Sequence, residues 1–250
     1  MLRLFFLLSL MISGCMTAAK RERLSPQGKY ELGLKYMRRG MYQKAIEQFT
    51  NVRNFHRDDP LSVKSELAIA DVYYKKREWP SARQYYDEFA RMHPRHADLD
   101  YVNYRIGMAS YKTASKYVGR DQTQTMNAVR AWTGFSSRFP ESHYLPDVEK
   151  KLKQCRERLA MKEIWIARFY KRRHAWKAVL RRSDGVLYDY QDSRHLPKAV
   201  KLFGEASAWE GREDEAKGAV VRLEKDDPKG AEKLSKKVAR IKEKLERRNK

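Results

Sequence analysis

The sequence predicts an all-α fold, namely a right-handed superhelical solenoid of about five helix pairs followed by a C-terminal capping helix. The first reason is that the small residues Gly33, Ala70 and Gly107 recur at intervals of 37 residues. The second is that an alanine precedes a proline by twelve residues at three places, namely Ala82 and Pro94, Ala128 and Pro140, and Ala216 and Pro228. Proline ends a helix because it lacks an N–H donor and clashes with the preceding turn. Repeats of this length without an alternating strand pattern are typical of stacked helix pairs.

The residues around the first two small positions follow the tetratricopeptide pattern. In this pattern a large residue, a small one and a tyrosine on the first helix precede an alanine, an aromatic residue and an apolar residue on the second. The matching positions are Leu32, Gly33, Tyr36, Ala45, Phe49 and Val52 in the first repeat, and Ile69, Ala70, Tyr73, Ala82, Tyr86 and Phe89 in the second. Small residues let the paired helices approach closely, and each pair leaves an apolar face that the next pair covers.

The third and fourth repeats depart from the basic length. We expect an insertion near Gly119 to Thr125 to lengthen the loop inside the third repeat. The fourth begins with a long helix, about Pro146 to Arg172, and its second helix carries Trp176 and Val179. The predicted ranges of the five repeats are 26–60, 61–97, 98–143, 144–194 and 195–228.

The last segment, residues 229–250, has a different composition. It contains ten Lys or Arg and three Glu, while Leu234, Val238, Ile241 and Leu245 recur at spacings of four, three and four. These spacings predict one apolar stripe on an otherwise basic helix. Two interpretations follow: a cap over the open face of the last repeat, which solenoids require, or a helix that binds a partner or a membrane surface.

The N-terminus has the features of a secretory signal. A cationic start is followed by an apolar run of about ten residues, small residues and Cys15. The run Ile12-Ser13-Gly14-Cys15 resembles the bacterial lipobox, which implies a signal peptide over 1–14, a lipid on Cys15 and a polar tether over 15–25. The alternative is an ordinary signal peptide with an incidental cysteine. Met16 in place of an aspartate favours the outer membrane, so we expect a lipid-anchored protein on its periplasmic face.

The composition argues against an enzyme and against a metal or cofactor site. The chain has 54 Lys plus Arg against 32 Asp plus Glu, a net charge of +22, and no Gly-rich phosphate loop. His93 and His96 flank Pro94 without an acidic residue that would complete a zinc motif. Cys155 has no triad pattern around it, which predicts a half-buried structural thiol. The excess of cations favours anionic partners of the cell envelope, and we expect no nucleic acid.

Four stretches resemble the BamD family, the lipoprotein subunits of the outer-membrane β-barrel assembly machinery. They are Tyr30 to Phe49, Phe89 to Pro94, Phe139 to Tyr144 and, most specifically, Ile166 to Val179. The resemblance implies a scaffold that binds the POTRA domains of the BamA-like barrel insertase and unfolded outer-membrane proteins, with accessory lipoproteins as further partners. It places insertase binding mainly in repeats 3–5 (98–228). The partner-binding candidates are Arg168, Tyr170, Arg172, Arg173 and Trp176.

Repeats 1–2 (26–97) are predicted to form the substrate groove. Aromatic side chains there would pack on the tail of an unfolded barrel protein, and cations would meet its terminal carboxylate. The groove candidates are Tyr30, Tyr36, Arg38, Arg39, Tyr73, Tyr74, Lys75 and Lys76. Tyr36 and Tyr73 also occupy the packing position of the repeat, so a core role is the alternative for both.

Several positions depart from the repeat or from the family. Ser183 stands where the repeat has a bulky residue, and His174 stands where the family usually has glycine. Gly204 and Ser207 occupy the small and aromatic positions of a weak last repeat. The competing function is a tetratricopeptide adaptor for cell wall, pilus assembly or cell division, which would bind those components and no insertase.

Overall fold

Helix caps and prolines explain where several helices of the computed structural model begin. The Ser25 hydroxyl accepts a hydrogen bond from the N–H of Gly28 at 3.2 Å, and the Asp59 carboxylate accepts one from the N–H of Leu61 at 2.8 Å. A proline follows each cap, at a position where its missing N–H costs nothing. The structure describes residues 24–248, and all regular secondary structure in that range is helical. The predicted all-α class is therefore confirmed.

Twelve helices lie within the described range. They are α1 (Pro26–Arg38), α2 (Tyr42–Phe55), α3 (Pro60–Lys75), α4 (Trp79–Met92), α5 (Leu99–Thr113), α6 (Thr123–Trp132), α7 (Phe135–Arg138), α8 (Leu145–Arg172), α9 (Trp176–Asp189), α10 (Leu196–Trp209), α11 (Glu213–Asp226) and α12 (Pro228–Arg248). The long loop of the third repeat spans 114–122, so the predicted insertion reaches too far: its last three residues, 123–125, already belong to α6.

The described residues divide into two compact units, 24–112 and 113–248. Among the described residues, the first unit holds α1 to α5 and the second holds α6 to α12, with α5 ending one residue past the boundary. The division falls inside the third predicted repeat, just before its long loop. The functional division of the body at residue 98 stays a prediction.

Close packing within the first unit depends on the small residues that the repeat pattern identified. A Cβ atom added to Gly33 would lie 2.7 Å from the Phe49 ring, so only glycine lets α1 approach α2 this closely. Tyr36, Ile69 and Val72 are buried in the same cluster. Burial of such side chains contributes about 1.5–3 kcal/mol each, which holds the successive helices together.

The turns inside four helix pairs share one backbone conformation. A left-handed residue stands between the two helices in each, with φ between 58° and 73°, at Gly40, Arg77, His174 and Gly211. Gly40 and Arg77 are 37 residues apart, as are His174 and Gly211. Arg77 and His174 accept about 1 kcal/mol of strain or more that glycine would avoid. His174 therefore takes the same left-handed conformation that glycine takes at Gly211.

The second unit is organised around α8. This helix packs on α6 and α7 and also on α9 and α10. The buried Ser183 of α9 is accommodated because its hydroxyl donates to the Val179 carbonyl at 2.8 Å within its own helix. A Cβ atom at Gly204 would lie 2.8 Å from Ala219 and 2.9 Å from Leu234, so this glycine lets α10 contact both α11 and α12.

The basic C-terminal helix α12 covers the last pair. It packs against both α10 and α11, and Ala231, Leu234 and Ile241 are buried on its inner face. This confirms the predicted cap. Among residues 24–248, no helix is long and apolar enough to cross a membrane. Cys15 and the predicted signal peptide lie outside the described residues.

Candidate partner-binding sites

The first unit holds a buried carboxylate that two tyrosines share. The hydroxyl groups of Tyr86 on α4 and Tyr101 on α5 both donate to Oδ1 of Asp71 on α3, each at 2.5 Å. Burial raises the pKa of Asp71 above its usual range. Burial and the neighbouring carboxylate raise the pKa values of both tyrosines as well. The network therefore ties three helices together, and its tyrosines remain protonated donors.

A half-buried cation lies beside this carboxylate on an aromatic platform. The guanidinium carbon of Arg105 is 4.4 Å from the ring centroid of Tyr74 and 5.0 Å from that of Tyr101. Tyr74 in turn makes an edge contact with Trp79 at 4.8 Å. The buried Nε of Arg105 has no hydrogen-bond partner among the described atoms. This aromatic platform can pack against apolar side chains, while the cation can bind a carboxylate or carbonyl oxygen.

The predicted groove residues lie in three environments. Tyr36 is 6% exposed and belongs to the core, while Tyr73 stacks on Tyr85 with 4.8 Å between ring centroids. Tyr30 and Tyr74 are half-buried, and Tyr74 forms part of the platform described above. The four cationic candidates are exposed, namely Arg38, Arg39, Lys75 and Lys76. Of the eight candidates, the structure thus places Tyr74 beside the buried network and Tyr36 inside the core.

The second unit contains a basic pocket of about 840 Å³. It is lined by side chains of α8, α9, α10 and α12 together with the turn at His174. Six cations contribute to its wall, and Glu205 is the one carboxylate among the lining residues. The six are Arg168, Lys171, Arg172, Lys198, Lys201 and Lys237. The pocket therefore favours an anionic partner.

Two stacked indole rings form the apolar side of this basic pocket. Trp176 of α9 and Trp209 of α10 lie with 5.4 Å between ring centroids and 11° between ring planes. Lys244 of α12 stands over Trp209 at 5.3 Å. Tryptophan and arginine are the residues that most often dominate the energetics of protein–protein contacts. Such a composition is typical of protein-binding sites.

Glu205 is a buried carboxylate that lines the basic pocket and pairs with two of its cations. Its side chain is 8% exposed, and its carboxylate oxygens pair with Lys171 at 2.6 Å and Lys237 at 2.8 Å. These two ion pairs connect α8, α10 and α12. Another wall cation, Lys201, pairs with Asp227 at 2.5 Å. Arg168, Arg172 and Lys198 pair with no carboxylate among the described residues, so they are the cations free to meet a partner.

Three of the five predicted partner-binding residues converge on this pocket. Arg168, Arg172 and Trp176 line it. Tyr170 packs instead against the core formed by α8, α9 and α10. Arg173 is exposed and lies over the Phe169 ring at 3.8 Å, outside the pocket. The sequence pattern did not single out Glu205, Trp209 or Lys237, because these residues reach the pocket only through tertiary packing.

The other sites considered from the sequence have local structural roles. Nε2 of His93 lies 2.7 Å from Glu66, and Nδ1 of His96 accepts a hydrogen bond from the N–H of Asp98. Within residues 24–248, no three His, Cys, Asp or Glu side chains come together as metal ligands. Cys155 is buried rather than half-buried, and burial raises the pKa of its thiol to about 11.

Comparison with known proteins defines the class of this chain. The family described as "Outer membrane lipoprotein" (YfiO) matches residues 23–222, so the chain belongs to that family. The chain is 27% identical to the outer membrane protein assembly factor BamD of Rickettsia prowazekii over 75% of its own length and 74% of that protein. It is 26% identical to BamD of Pasteurella multocida over 78% of each. A solved Podosopora anserina putative kinesin light chain with TPR-like repeats is 13% identical, with a TM-score of 0.37 and coverage of 88% and 96%.

Proposed function

We propose that this chain is a non-enzymatic scaffold lipoprotein that helps to assemble and insert β-barrel proteins into the outer membrane. In this proposal Cys15 carries the lipid that holds the protein at the periplasmic face. The second unit binds POTRA domains of a BamA-like insertase, and the first unit receives unfolded barrel proteins. Membership of an outer membrane lipoprotein family and similarity to proteins named as outer membrane assembly factors support this role.

The observation that carries the proposal is the meeting of Arg168, Arg172 and Trp176 at one basic pocket. Two unpaired guanidinium groups beside a stacked indole pair combine charge recognition with a large apolar contact. Guanidinium groups bind carboxylates in a two-pronged geometry, which fits an acidic patch on a folded domain. An acidic face of a POTRA domain is therefore the partner that we propose for this pocket.

The proposed substrate site of the first unit is supported by the platform of Tyr74 and Arg105. An extended chain that ends in an aromatic residue could place its ring on Tyr74 and its terminal carboxylate near Arg105 or the exposed Lys75. The free Nε of Arg105 is an unsatisfied buried donor, which favours an acceptor from a partner at this place.

The insertase proposal is tested by co-purification from membranes. The full chain with a C-terminal tag is extracted in mild detergent, and its partners are identified by mass spectrometry in moderate salt. We expect a stoichiometric insertase with the native chain. Arg168→Glu combined with Arg172→Glu should lower its recovery about tenfold or more, because like charges at an interface cost several kcal/mol.

A matched variant separates pocket binding from net charge. Lys150→Glu combined with Arg181→Glu makes the same charge change at exposed positions of α8 and α9 outside the pocket. This control should retain the insertase. If both double variants lose it equally, the pocket is not the binding site. If the native chain recovers cell-wall or pilus proteins and no insertase, the adaptor function replaces the assembly function.

Substrate binding is tested separately with a fluorescent peptide that carries the aromatic C-terminus of a barrel protein. Lys75→Glu should weaken binding to the full chain because it removes a cation near the platform. Lys64→Glu is the control, since it changes an exposed cation elsewhere on the same helix α3. Equal affinities for the two variants would refute the proposed position of the substrate site.

A further inference from the structure

The outer side of α12 carries a second cationic surface, distinct in composition from the basic pocket. Six exposed cations follow one another at spacings of four, three, four, four and three residues, which places them on one side of a helix. Five of them lie away from the inner face that Leu234 and Ile241 bury, and Lys244 lies at its edge, over the Trp209 ring. We name this surface the α12 stripe; it consists of Lys229, Lys233, Lys236, Arg240, Lys244 and Arg247.

The charge of α12 is only partly balanced within the fold. The helix has nine Lys or Arg against three Glu, a net charge of +6. Lys237 and Lys242 are neutralised by Glu205 and Glu213 of the preceding pair. In contrast, Lys233, Arg240 and Arg247 of the stripe form no ion pair among the described residues. Packing of the cap therefore explains its inner face but not its outer charge.

The composition of the stripe argues against a protein partner. Protein interfaces are enriched in aromatic residues and depleted in lysine. None of the large hydrophobic side chains that are exposed within residues 24–248 lies on α12. The stripe runs straight over about 27 Å, from the rise of 1.5 Å per residue. A straight row of lysine and arginine without an apolar anchor matches a planar surface of negative charge.

We propose that the α12 stripe binds anionic phospholipid headgroups at a membrane surface. Each cation that reaches the headgroup phosphates strengthens attachment, and the lipid on Cys15 would keep the helix near that surface. The α12 helix begins beyond residue 222, where the match to the outer membrane lipoprotein family ends. The contact would orient the second unit on the membrane independently of any protein partner.

Vesicle binding of the full chain tests this proposal. Cys15→Ser is introduced so that position 15 carries no lipid, and co-flotation is measured with neutral phosphatidylcholine vesicles and with vesicles containing about one-third phosphatidylglycerol. Neutral vesicles give the background from the apolar N-terminus. We expect the protein to bind anionic vesicles more strongly than neutral ones, and this difference in binding should disappear at high salt because screening weakens interactions between exposed charges.

Two triple variants with the same net charge identify the surface. The first variant combines Lys233→Gln, Arg240→Gln and Arg247→Gln. It should lower the extra binding to anionic vesicles on the order of 100-fold, because each cation contributes about fivefold. The second variant, the control, removes three exposed cations of α8, α9 and α11 by Lys150→Gln, Arg181→Gln and Arg222→Gln. It should retain most of the extra binding to anionic vesicles. Circular dichroism verifies that both variants remain helical.

Equal binding by the two variants, or no gain on anionic vesicles, would overturn the proposal. Loss of a protein partner by the stripe variant, with vesicle binding unchanged, would make the stripe a protein interface and also overturn it. The insertase experiment fails or succeeds separately, because Arg168 and Arg172 do not belong to the stripe.

Discussion

Replacing Glu205 by glutamine should destabilise the second unit more than its small change in volume suggests. The substitution keeps the size of the side chain but leaves Lys171 and Lys237 without their shared carboxylate. Breaking a buried ion pair costs 3–5 kcal/mol, whereas an exposed pair is worth less than about 1 kcal/mol. Glu205 is 8% exposed and its partners are 34% and 48% exposed, so we place the loss between these limits, at about 2 kcal/mol.

Urea unfolding followed by tryptophan fluorescence measures this loss. Four of the five tryptophans lie in the second unit, so the signal reports mainly on its unfolding. A loss of about 2 kcal/mol should lower the unfolding midpoint by roughly 1 M urea. Glu224→Gln is the control, because it makes the same change at an exposed position of α11.

A second substitution tests the cause. When Lys237→Gln is combined with Glu205→Gln, the double variant should lose less unfolding free energy than the two single variants lose in total, because either substitution alone already removes their ion pair. The reasoning would be refuted if Glu205→Gln and Glu224→Gln gave the same midpoint, or if the two substitutions were fully additive.

Three further predictions concern packing, charge and thiol reactivity. Gly204→Ala should lower the free energy of unfolding by about 1–3 kcal/mol, because the new methyl group would clash with Leu234. Gly185→Ala is the control: its methyl group meets nothing within 4 Å, so it should stabilise α9 by about 0.5–1 kcal/mol. Equal effects of the two substitutions in urea unfolding would contradict this prediction. Since burial raises the pKa of Asp71, the folded state holds its proton to higher pH than the unfolded state does, so this group lowers the unfolding free energy progressively as the pH rises from about 4. Asp71→Asn should therefore remove part of that loss between pH 4 and 7, and an unchanged pH profile would exclude Asp71 as its source. The buried thiol of Cys155, with a pKa of about 11, should react with a maleimide reagent only after denaturation; rapid labelling of the native chain would show that the site opens.

Local features of the chain were enough to predict the helix pairs. Gly33 and Phe49 show why. A small residue on one helix that contacts a large ring on the next belongs to the pattern that recurs every 37 residues, so the sequence alone indicates this contact. The sequence analysis did not predict the left-handed turn at His174, which the structure shows to recur 37 residues later at Gly211. Proline spacing likewise placed the ends of α4 and α11 close to where the structure has them.

The two candidate sites could be predicted only in part. Arg168, Arg172 and Trp176 lie close together in the chain, so a resemblance over one short stretch was sufficient to nominate all three as candidates. Glu205 is 34 residues from Lys171 and 32 from Lys237, and no local pattern connects them. Asp71 likewise meets Tyr101 across 30 residues, as part of a network that depends on how three helices pack. Such contacts become visible only when the helices are placed in space.

The 28-residue helix α8 has a consequence for how this protein can vary in length. It packs on α6 and α7 and also on α9 and α10, and its buried residues extend from Val148 to Ala167. One inserted residue would rotate one half by about 100° against the other and turn a buried face toward water. Natural insertions and deletions should therefore be found in the loop 114–122 and be absent from the middle of α8.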